Sequence, residues 1–380
     1  MSRLTLGVFG TSRKENELRL PIHPLHLESV DPELRASIFV EEGYGSRFGT
    51  TKDALGGLVG GVRTQEQLVR ECDVLLLPKP LAADLEVMRR GQVLWGWPHC
   101  VQDEALTQAA IDNRLTLIAW EAMNHWQSDG SFGIHVFHKN NELAGYCSVL
   151  HALQLVGRTG HYGRPLKAAV ISFGATGRGA VTALNALGIF DVTVMTGRDP
   201  AAVASPPHSA TMLQFGDRDG ALVVTTDEGQ VPMPAFLAEH DVVVNCVLQD
   251  PEDPYMFVTY DDLRAFEPGS VVVDVSCDAG MGFEWARPTA FEDPMFEVGE
   301  GVRYYAVDHS PSHLWDAATW EISEALLPYL ETVLGGPDSW DADPTIARAI
   351  EIRDGVVENP KILSFQGRAK DYPHEKRFHG

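Results

Sequence analysis

The apolar positions of this chain fall into short runs rather than one long periodic pattern. In the N-terminal third, LTLGVFG (4–10), SIFVEEG (37–43), DVLLLPKP (73–80), QVLWGWP (92–98) and LTLIAWEA (115–122) lie between polar segments and turn-forming Gly, Pro and Asp. Runs of this length predict buried strands, and their spacing leaves room for a helix between most of them, which predicts a parallel sheet. A second series, LKAAVISFG (166–174), FDVTVMTG (190–197), HDVVVNCVL (240–248), GSVVVDVS (269–276) and VRYYAVD (302–308), predicts a second parallel sheet. Between the series, NNELAGYCSVLHALQLVG (140–157) has the length and spacing of a helix. After the second, residues 310–336 read as one long helix capped by Ser310 or Ser312 and stopped at Gly335-Gly336. The remaining segment predicts one helix, DPTIARAIEIRDG, and an irregular tail.

The pattern predicts an α/β protein of two doubly wound, Rossmann-like domains joined by long helices. Residues 1–140 and 310–380 would form a substrate and catalytic domain, with a dinucleotide-binding domain, residues 141–309, inserted into it.

Composition narrows the function classes. The 380 residues are 44% hydrophobic and 22% charged, as expected of folded domains with full cores. Acidic residues (53) outnumber Lys plus Arg (30), for a formal charge of −23. Such a surface repels nucleic acid and anionic membranes, so the expected partners are small molecules, with a homo-oligomer left open. An anionic substrate would need local cations, which makes basic residues inside apolar segments informative. No apolar run approaches the roughly 20 residues that span a bilayer. The N-terminus reads as a strand rather than a signal peptide. Cys72, Cys100, Cys147, Cys246 and Cys277 are scattered and form no CxxC pair, which points to a reducing, cytoplasmic setting and against a metal site.

The segment AAVISFGATGRGAVTALNALG (168–188) reads as strand, glycine-rich turn and helix. Its register is Ser172-x-Gly174-x-x-Gly177, with Ser172 where the usual fingerprint has its first glycine. Small residues there let the backbone of Gly174, Ala175, Thr176 and Gly177 approach a pyrophosphate at the positive helix N-terminus. The next strand ends Thr196-Gly197-Arg198, with no acidic residue to bind a ribose 2′-hydroxyl. Arg198 is suited to a 2′-phosphate, so the expected cofactor is NADP(H), with NAD(H) as the alternative. The nicotinamide would lie against Val247 and Leu248.

Lys79, His99 and Glu121 each follow a predicted strand in the first domain, where open α/β sheets place their ligands. Taken singly, each reads as a solvated loop residue. Together, at equivalent sheet positions, they read as a site. Arg19 follows the first strand in KENELRLPIHP (14–24).

At these residues the chain resembles the alanine dehydrogenase and lysine-forming saccharopine dehydrogenase superfamily, which includes N5-(carboxyethyl)ornithine synthase. KENELRLPIHP resembles the family's K-x-x-E-x-R-x-A-L-T-P signature, which implies that Arg19 clamps a substrate carboxylate. Lys79 and His99 sit where the family keeps its catalytic lysine and histidine. The stretches VVVDVSCDAGMGFEW (271–285) and VDHSPSHLWDAATWEIS (307–323) resemble the saccharopine and carboxyethylornithine branch, and HKNNELAGY resembles the latter. This implies that Asp278, Asp308 and His309 lie near the nicotinamide. Ile22-His23 in place of Leu-Thr before Pro24, and the tryptophans of LWGWP, depart from the family pattern.

The expected activity is NADPH-dependent reductive coupling of an amino-acid amine to a 2-keto acid, or its reverse. Amine addition to the carbonyl and loss of water each move protons, which suits a histidine and a lysine of depressed pKa. Arg19 would hold the keto-acid carboxylate, Lys79 and His99 would transfer protons, Glu121 would orient them, and Asp278 would position the reacting groups. Two alternatives remain: an alanine dehydrogenase-like reaction with ammonia, and a cofactor-binding regulatory protein without turnover.

Overall fold

The computed structural model describes residues 3–197, 209–250 and 253–376. The chain divides into two compact units, Met1–Phe137 with Trp315–Gly380, and His138–Leu314.

In the first unit the eight-stranded sheet runs Val356–Val357, Ile350–Arg353, Thr116–Ala119, Val93–Gly96, Val74–Leu76, Leu6–Val8, Ile38–Glu41, Gly61–Arg63. The six strands from Thr116–Ala119 to Gly61–Arg63 are parallel, in the chain order 6-5-4-1-2-3. That is a doubly wound order, whose switch point falls between Leu6–Val8 and Val74–Leu76. Both faces are covered. Leu6, Val8, Val74, Leu76 and Trp95 enter one core, while Leu75, Leu77, Leu94 and Leu117 enter the other. Burial on both faces is why these strands read as unbroken apolar runs without alternation.

The second unit repeats the plan. Its six parallel strands run Thr211–Arg218, Asp191–Thr196, Lys167–Ile171, Val242–Asn245, Val271–Asp274, Val302–Tyr305, and the switch point lies between Lys167–Ile171 and Val242–Asn245. The sheet is mixed rather than purely parallel. Ala221–Thr226 and Gly229–Pro232 extend one edge antiparallel, and Met295–Val298 pairs antiparallel at the other.

Two helix expectations are corrected. Residues 310–336 are not one helix: a 3-10 turn at Ser310–Leu314 leads into the helix Trp315–Leu326, then a 3-10 turn at Leu327–Tyr329 and the helix Leu330–Gly335. Pro328, which lacks an amide hydrogen and crowds the preceding turn, forces the break. Ser310 is the first residue of the 3-10 turn Ser310–Leu314; it is buried, and its hydroxyl donates to the Ala144 carbonyl. DPTIARAIEIRDG forms only a short helix, Pro344–Ala347, before Ile350–Arg353 pairs antiparallel with Thr116–Ala119. Ile350 and Ile352 are β-branched and suit a strand, here paired with Thr116–Ala119 on one side and Val356–Val357 on the other, which sequence spacing alone does not announce.

Among the described residues no helix is long and apolar enough to cross a membrane, and no cluster of His, Cys, Asp or Glu is arranged to hold a metal ion.

Candidate active site

Parallel strands of a doubly wound sheet end on one side, and the loops on either side of the switch point diverge to leave a crevice there. In the first unit those loops carry the segment after Leu6–Val8, which includes Arg19, and Pro78-Lys79-Pro80 after Val74–Leu76. The next two strands bring His99 and Glu121 to the same side. Lys79 Nζ lies 2.9 Å from His99 Nε2, so a single proton can sit between amine and imidazole. The backbone N–H of His99 donates to Glu121 Oε1 at 2.7 Å. His99 holds φ +48°, a left-handed conformation that a non-glycine residue keeps only where its surroundings compel it.

The other half of the Glu121 carboxyl is unsatisfied. Its Oε2 is buried without a hydrogen-bond partner, and the same is true of Oε2 of Glu351 on the neighbouring antiparallel strand. Glu351 is buried, and its Oε1 accepts from Asn359 Nδ2 at 3.0 Å. Burial first, and the charge of Glu351 second, push the Glu121 carboxyl up to about 8. Burial also raises Glu351. The Cys100 thiol, hydrogen-bonded to Glu351, is pushed up chiefly by burial and stays protonated.

Arg19 is buried and held twice. Its Nε donates to Glu17 Oε1 at 2.8 Å and its Nη2 pairs with Glu17 Oε2. Its guanidinium carbon lies 5.0 Å from the centre of the Trp97 ring, two residues before His99. The cation expected of a carboxylate site is therefore set rigidly against the strand that carries His99.

In the second unit the strand Lys167–Ile171 runs into the 12-residue helix Ala175–Ala186 through the Ser172–Gly174 turn. Gly174, at the helix N-cap, offers no side-chain cap, and a Cβ placed on it would meet nothing within 4 Å. Gly177 is different: a Cβ there would lie 2.3 Å from the Ser172 carbonyl oxygen. One glycine leaves the helix N-terminus open, and the other lets strand and helix pack closely. This is the shape that receives a pyrophosphate, so the residues present fit a dinucleotide. Ser172 itself holds φ +80°, doing without the glycine expected there. Thr196 is buried at the end of the next strand; Arg198 lies outside the described residues.

On the other side of that switch point Val247 is buried while Leu248 is 95% exposed. Behind them sits a hub absent from the sequence expectations. Asp274, fully buried, accepts at Oδ1 from Asn245 Nδ2 (2.9 Å) and the Cys277 N–H (3.1 Å), and at Oδ2 from the Tyr304 hydroxyl (2.7 Å). Asn245 Oδ1 in turn accepts from the Val247 N–H. One carboxylate thus fixes both the Val247-Leu248 and the Cys277-Asp278 loops. Burial pushes Asp274 up to about 6 and raises Asp278 as well. Asp308 pairs with Nδ1 of the buried His309, whose ring packs 4.6 Å from Phe291.

The structure therefore gathers Lys79, His99 and Glu121 into one bonded cluster, with Arg19 on Trp97 of the same unit. Asp278, Asp308, His309 and the glycine turn belong to the second unit. Sequence reasoning missed Glu351 and Asp274. A signal existed for Asp274, a charged residue closing the all-valine run 271–273. Glu351 had none, because its segment read as a helix.

Two doubly wound units, one with a turn that fits a dinucleotide and the other with an amine–imidazole pair at the end of its sheet, are the architecture of a nucleotide-binding enzyme. The comparisons give the family: the alanine dehydrogenase/PNT C-terminal domain matches residues 159–360 and the N-terminal domain of the same family matches residues 11–137, so the chain belongs to it. The chain is 24% identical over 376 residues to an alanine dehydrogenase of Mycobacterium tuberculosis, covering 94% of this chain and 95% of that protein. It is 27% identical over 359 residues to one from Geobacillus stearothermophilus, covering 90% and 92%. A solved L-alanine dehydrogenase shares the fold at a TM-score of 0.76, with 20% identity over 95% of this chain and 99% of the other. A transhydrogenase from Sinorhizobium meliloti does so at 0.70, with 22% identity over 94% and 99%. The chain is thus an amino-acid oxidoreductase using a nicotinamide cofactor; these relatives do not single out the saccharopine and carboxyethylornithine branch.

Proposed function

We propose that this protein is an amino-acid dehydrogenase of the alanine dehydrogenase type, interconverting a 2-keto acid plus ammonia with the amino acid. The observation that carries the reading is the 2.9 Å contact between Lys79 Nζ and His99 Nε2 at the carboxyl end of a parallel sheet. A nicotinamide dinucleotide, when bound, supplies or accepts the hydride; the remaining chemistry is proton transfer and placement. Lys79 and His99 exchange a proton with the substrate oxygen or nitrogen as ammonia adds and water leaves. Glu121 fixes the His99 backbone and with it the imidazole. Arg19, rigid between Glu17 and Trp97, is the cation for the keto-acid carboxylate. Asp278 positions the reacting groups, and Asp308 holds His309. The Ser172–Gly177 turn, with Thr196, Gly197 and Arg198, carries the dinucleotide, and Val247 and Leu248 support its nicotinamide. The strand Asp191–Thr196 ends without an acidic residue, which favours NADP(H) over NAD(H).

A second reading, reductive coupling of a primary amine to the keto acid, is favoured by the sequences around Asp278 and Asp308. One assay separates them. Cofactor oxidation is followed with pyruvate, glyoxylate or 2-oxoglutarate against ammonia, ornithine and lysine, and products are weighed by mass spectrometry. A plain amino acid formed with ammonia supports the dehydrogenase reading. A secondary amine formed only with a diamino acid replaces it, and no turnover with any pair overturns both.

A further inference from the structure

Hydrogen bonds hold the chain on both sides of His99, whose backbone keeps a left-handed φ of +48°. On one side its own N–H donates to Glu121 Oε1 at 2.7 Å. On the other, the anchor comes from the C-terminal segment of the same unit. Gln366, buried just past the helix Pro360–Phe365, donates from Nε2 to the Cys100 carbonyl at 2.7 Å and to the Val101 carbonyl at 3.2 Å. These carbonyls belong to the two residues that follow His99. We propose that Gln366, oriented by Arg368, is a positioning residue that holds His99 against Lys79. The proposal rests on the reading that the Lys79–His99 pair transfers the proton.

The Gln366 amide is fixed in one orientation. Arg368 has donors only, and its Nε donates to Gln366 Oε1 at 2.6 Å, so the amide nitrogen must face the two carbonyls. Arg368 is itself buried and clamped to the helix Glu104–Asp112. Its Nη1 donates to Gln108 Oε1 at 2.7 Å and its Nη2 to the Glu104 carbonyl at 3.4 Å. The turn between His99 and that helix is closed by the Gln102 and Asp103 amides, which both donate to the His99 carbonyl, and by the Thr107 hydroxyl, which donates to the Cys100 carbonyl at 2.8 Å. Those bonds tie the turn to its own helix. Gln366 ties it to a separate segment, which is pinned in turn where the Val357 N–H donates to His374 Nε2 at 3.0 Å. A left-handed residue other than glycine relaxes toward negative φ once its neighbours are freed. That rotation swings the imidazole relative to the strand Val93–Gly96, and the 2.9 Å contact with Lys79 Nζ is lost.

The test uses the whole protein without substrate. The His99 ring nitrogens are followed by NMR with isotope-labelled histidine, their signals assigned by their loss in His99→Phe. In the wild type, Lys79→Met should shift the His99 Nε2 signal, because it removes the amine in contact with it. In a Gln366→Met background that response should fall to less than about half, since the ring is no longer held at the amine. An undiminished response overturns the proposal and leaves the pair standing. No response in the wild type overturns the pair, and the proposal with it. With turnover in hand, Gln366→Met should lower kcat about ten- to a hundredfold, with keto-acid KM and cofactor Kd close to wild type. A glutamine with a merely structural role would lower Tm and leave both kcat and the Lys79 response unchanged, which overturns the proposal. Gln366→Glu matches the side chain in size and still accepts from Arg368, but its carboxylate offers the carbonyls no donor. It should behave as Gln366→Met does, and it takes that variant's place if thermal unfolding shows that Gln366→Met fails to fold. If every keto acid fails in the activity assay while the Lys79 response is lost as expected, the proposed reaction falls and the positioning role stands.

Discussion

Lys79 Nζ and His99 Nε2 lie 2.9 Å apart although the residues are 20 apart in sequence, each delivered by the end of its own parallel strand. Adjacent parallel strands in register end side by side, and so do the loops that leave them, which makes the pair a consequence of the sheet. Lys79→Met and His99→Phe should each lower kcat by ~10²–10⁴ while changing cofactor Kd little, because both act on reacting atoms. Steady-state kinetics beside fluorescence titration of the cofactor checks this. Near-normal turnover in both variants would place the chemistry elsewhere.

The dinucleotide turn makes opposite demands at two positions. Ser172 is strained at φ +80°, and Gly there would relieve about 1 kcal/mol at some cost in unfolded-chain entropy. Ser172→Gly should therefore leave Tm unchanged or slightly higher, with cofactor binding retained. Gly177→Ala drives a methyl to 2.3 Å from the Ser172 carbonyl oxygen, and should lower Tm and weaken cofactor binding together. Calorimetry with and without cofactor reads both, and a tolerated Gly177→Ala would contradict the packing described.

Removing the Asp274 carboxylate strands the Asn245 amide, the Tyr304 hydroxyl and the Cys277 N–H. Asp274→Ala should cost on the order of 3 kcal/mol, measured by urea unfolding. Asp274→Asn, which retains one acceptor, should cost less.

Glu121 links the site to stability. Folded, it holds its proton to about 8; unfolded, it releases it near the ordinary 4.5. The folded state binds the extra proton between those values, so the contribution is complete below 4.5 and is lost as pH rises through about 8. Unfolding free energy should fall across that window more steeply in the wild type than in Glu121→Gln. Equal slopes would mean that Glu121 ionises normally.

Cofactor preference tests Arg198. If it binds a 2′-phosphate, Arg198→Asp should lower NADPH preference by about one to two decades, for a charge-assisted bond of about 1.5–3 kcal/mol. A wild-type enzyme preferring NADH would remove the assignment.

Much of the site is legible along the chain. LLLPKP, LWGWPHC and LIAWEA show apolar strands ending in Lys79, His99 and Glu121, and AVISFGATGRG shows the strand, turn and helix of a dinucleotide site. These features are local: burial on both sheet faces demands continuous apolar runs, and a pyrophosphate demands small residues at a helix start. The antiparallel edge strands, the break at Pro328 and the strand Ile350–Arg353 are not legible in the same way. Edge pairing depends on which neighbour is at hand, and a short Ile-rich segment suits helix or strand equally well. The order 3-2-1-4-5-6 in each unit, which sets the two switch points, is a matter of chain crossing that no single segment encodes. The same holds for Glu351, whose charge acts on the Glu121 carboxyl from a distant part of the chain, and for Asp274, whose three partners come from three different strands and loops. Local sequence specified which side chains could do the chemistry. Long-range pairing of strands decided which of them meet, because only packing brings buried polar groups within reach of the partners their burial requires.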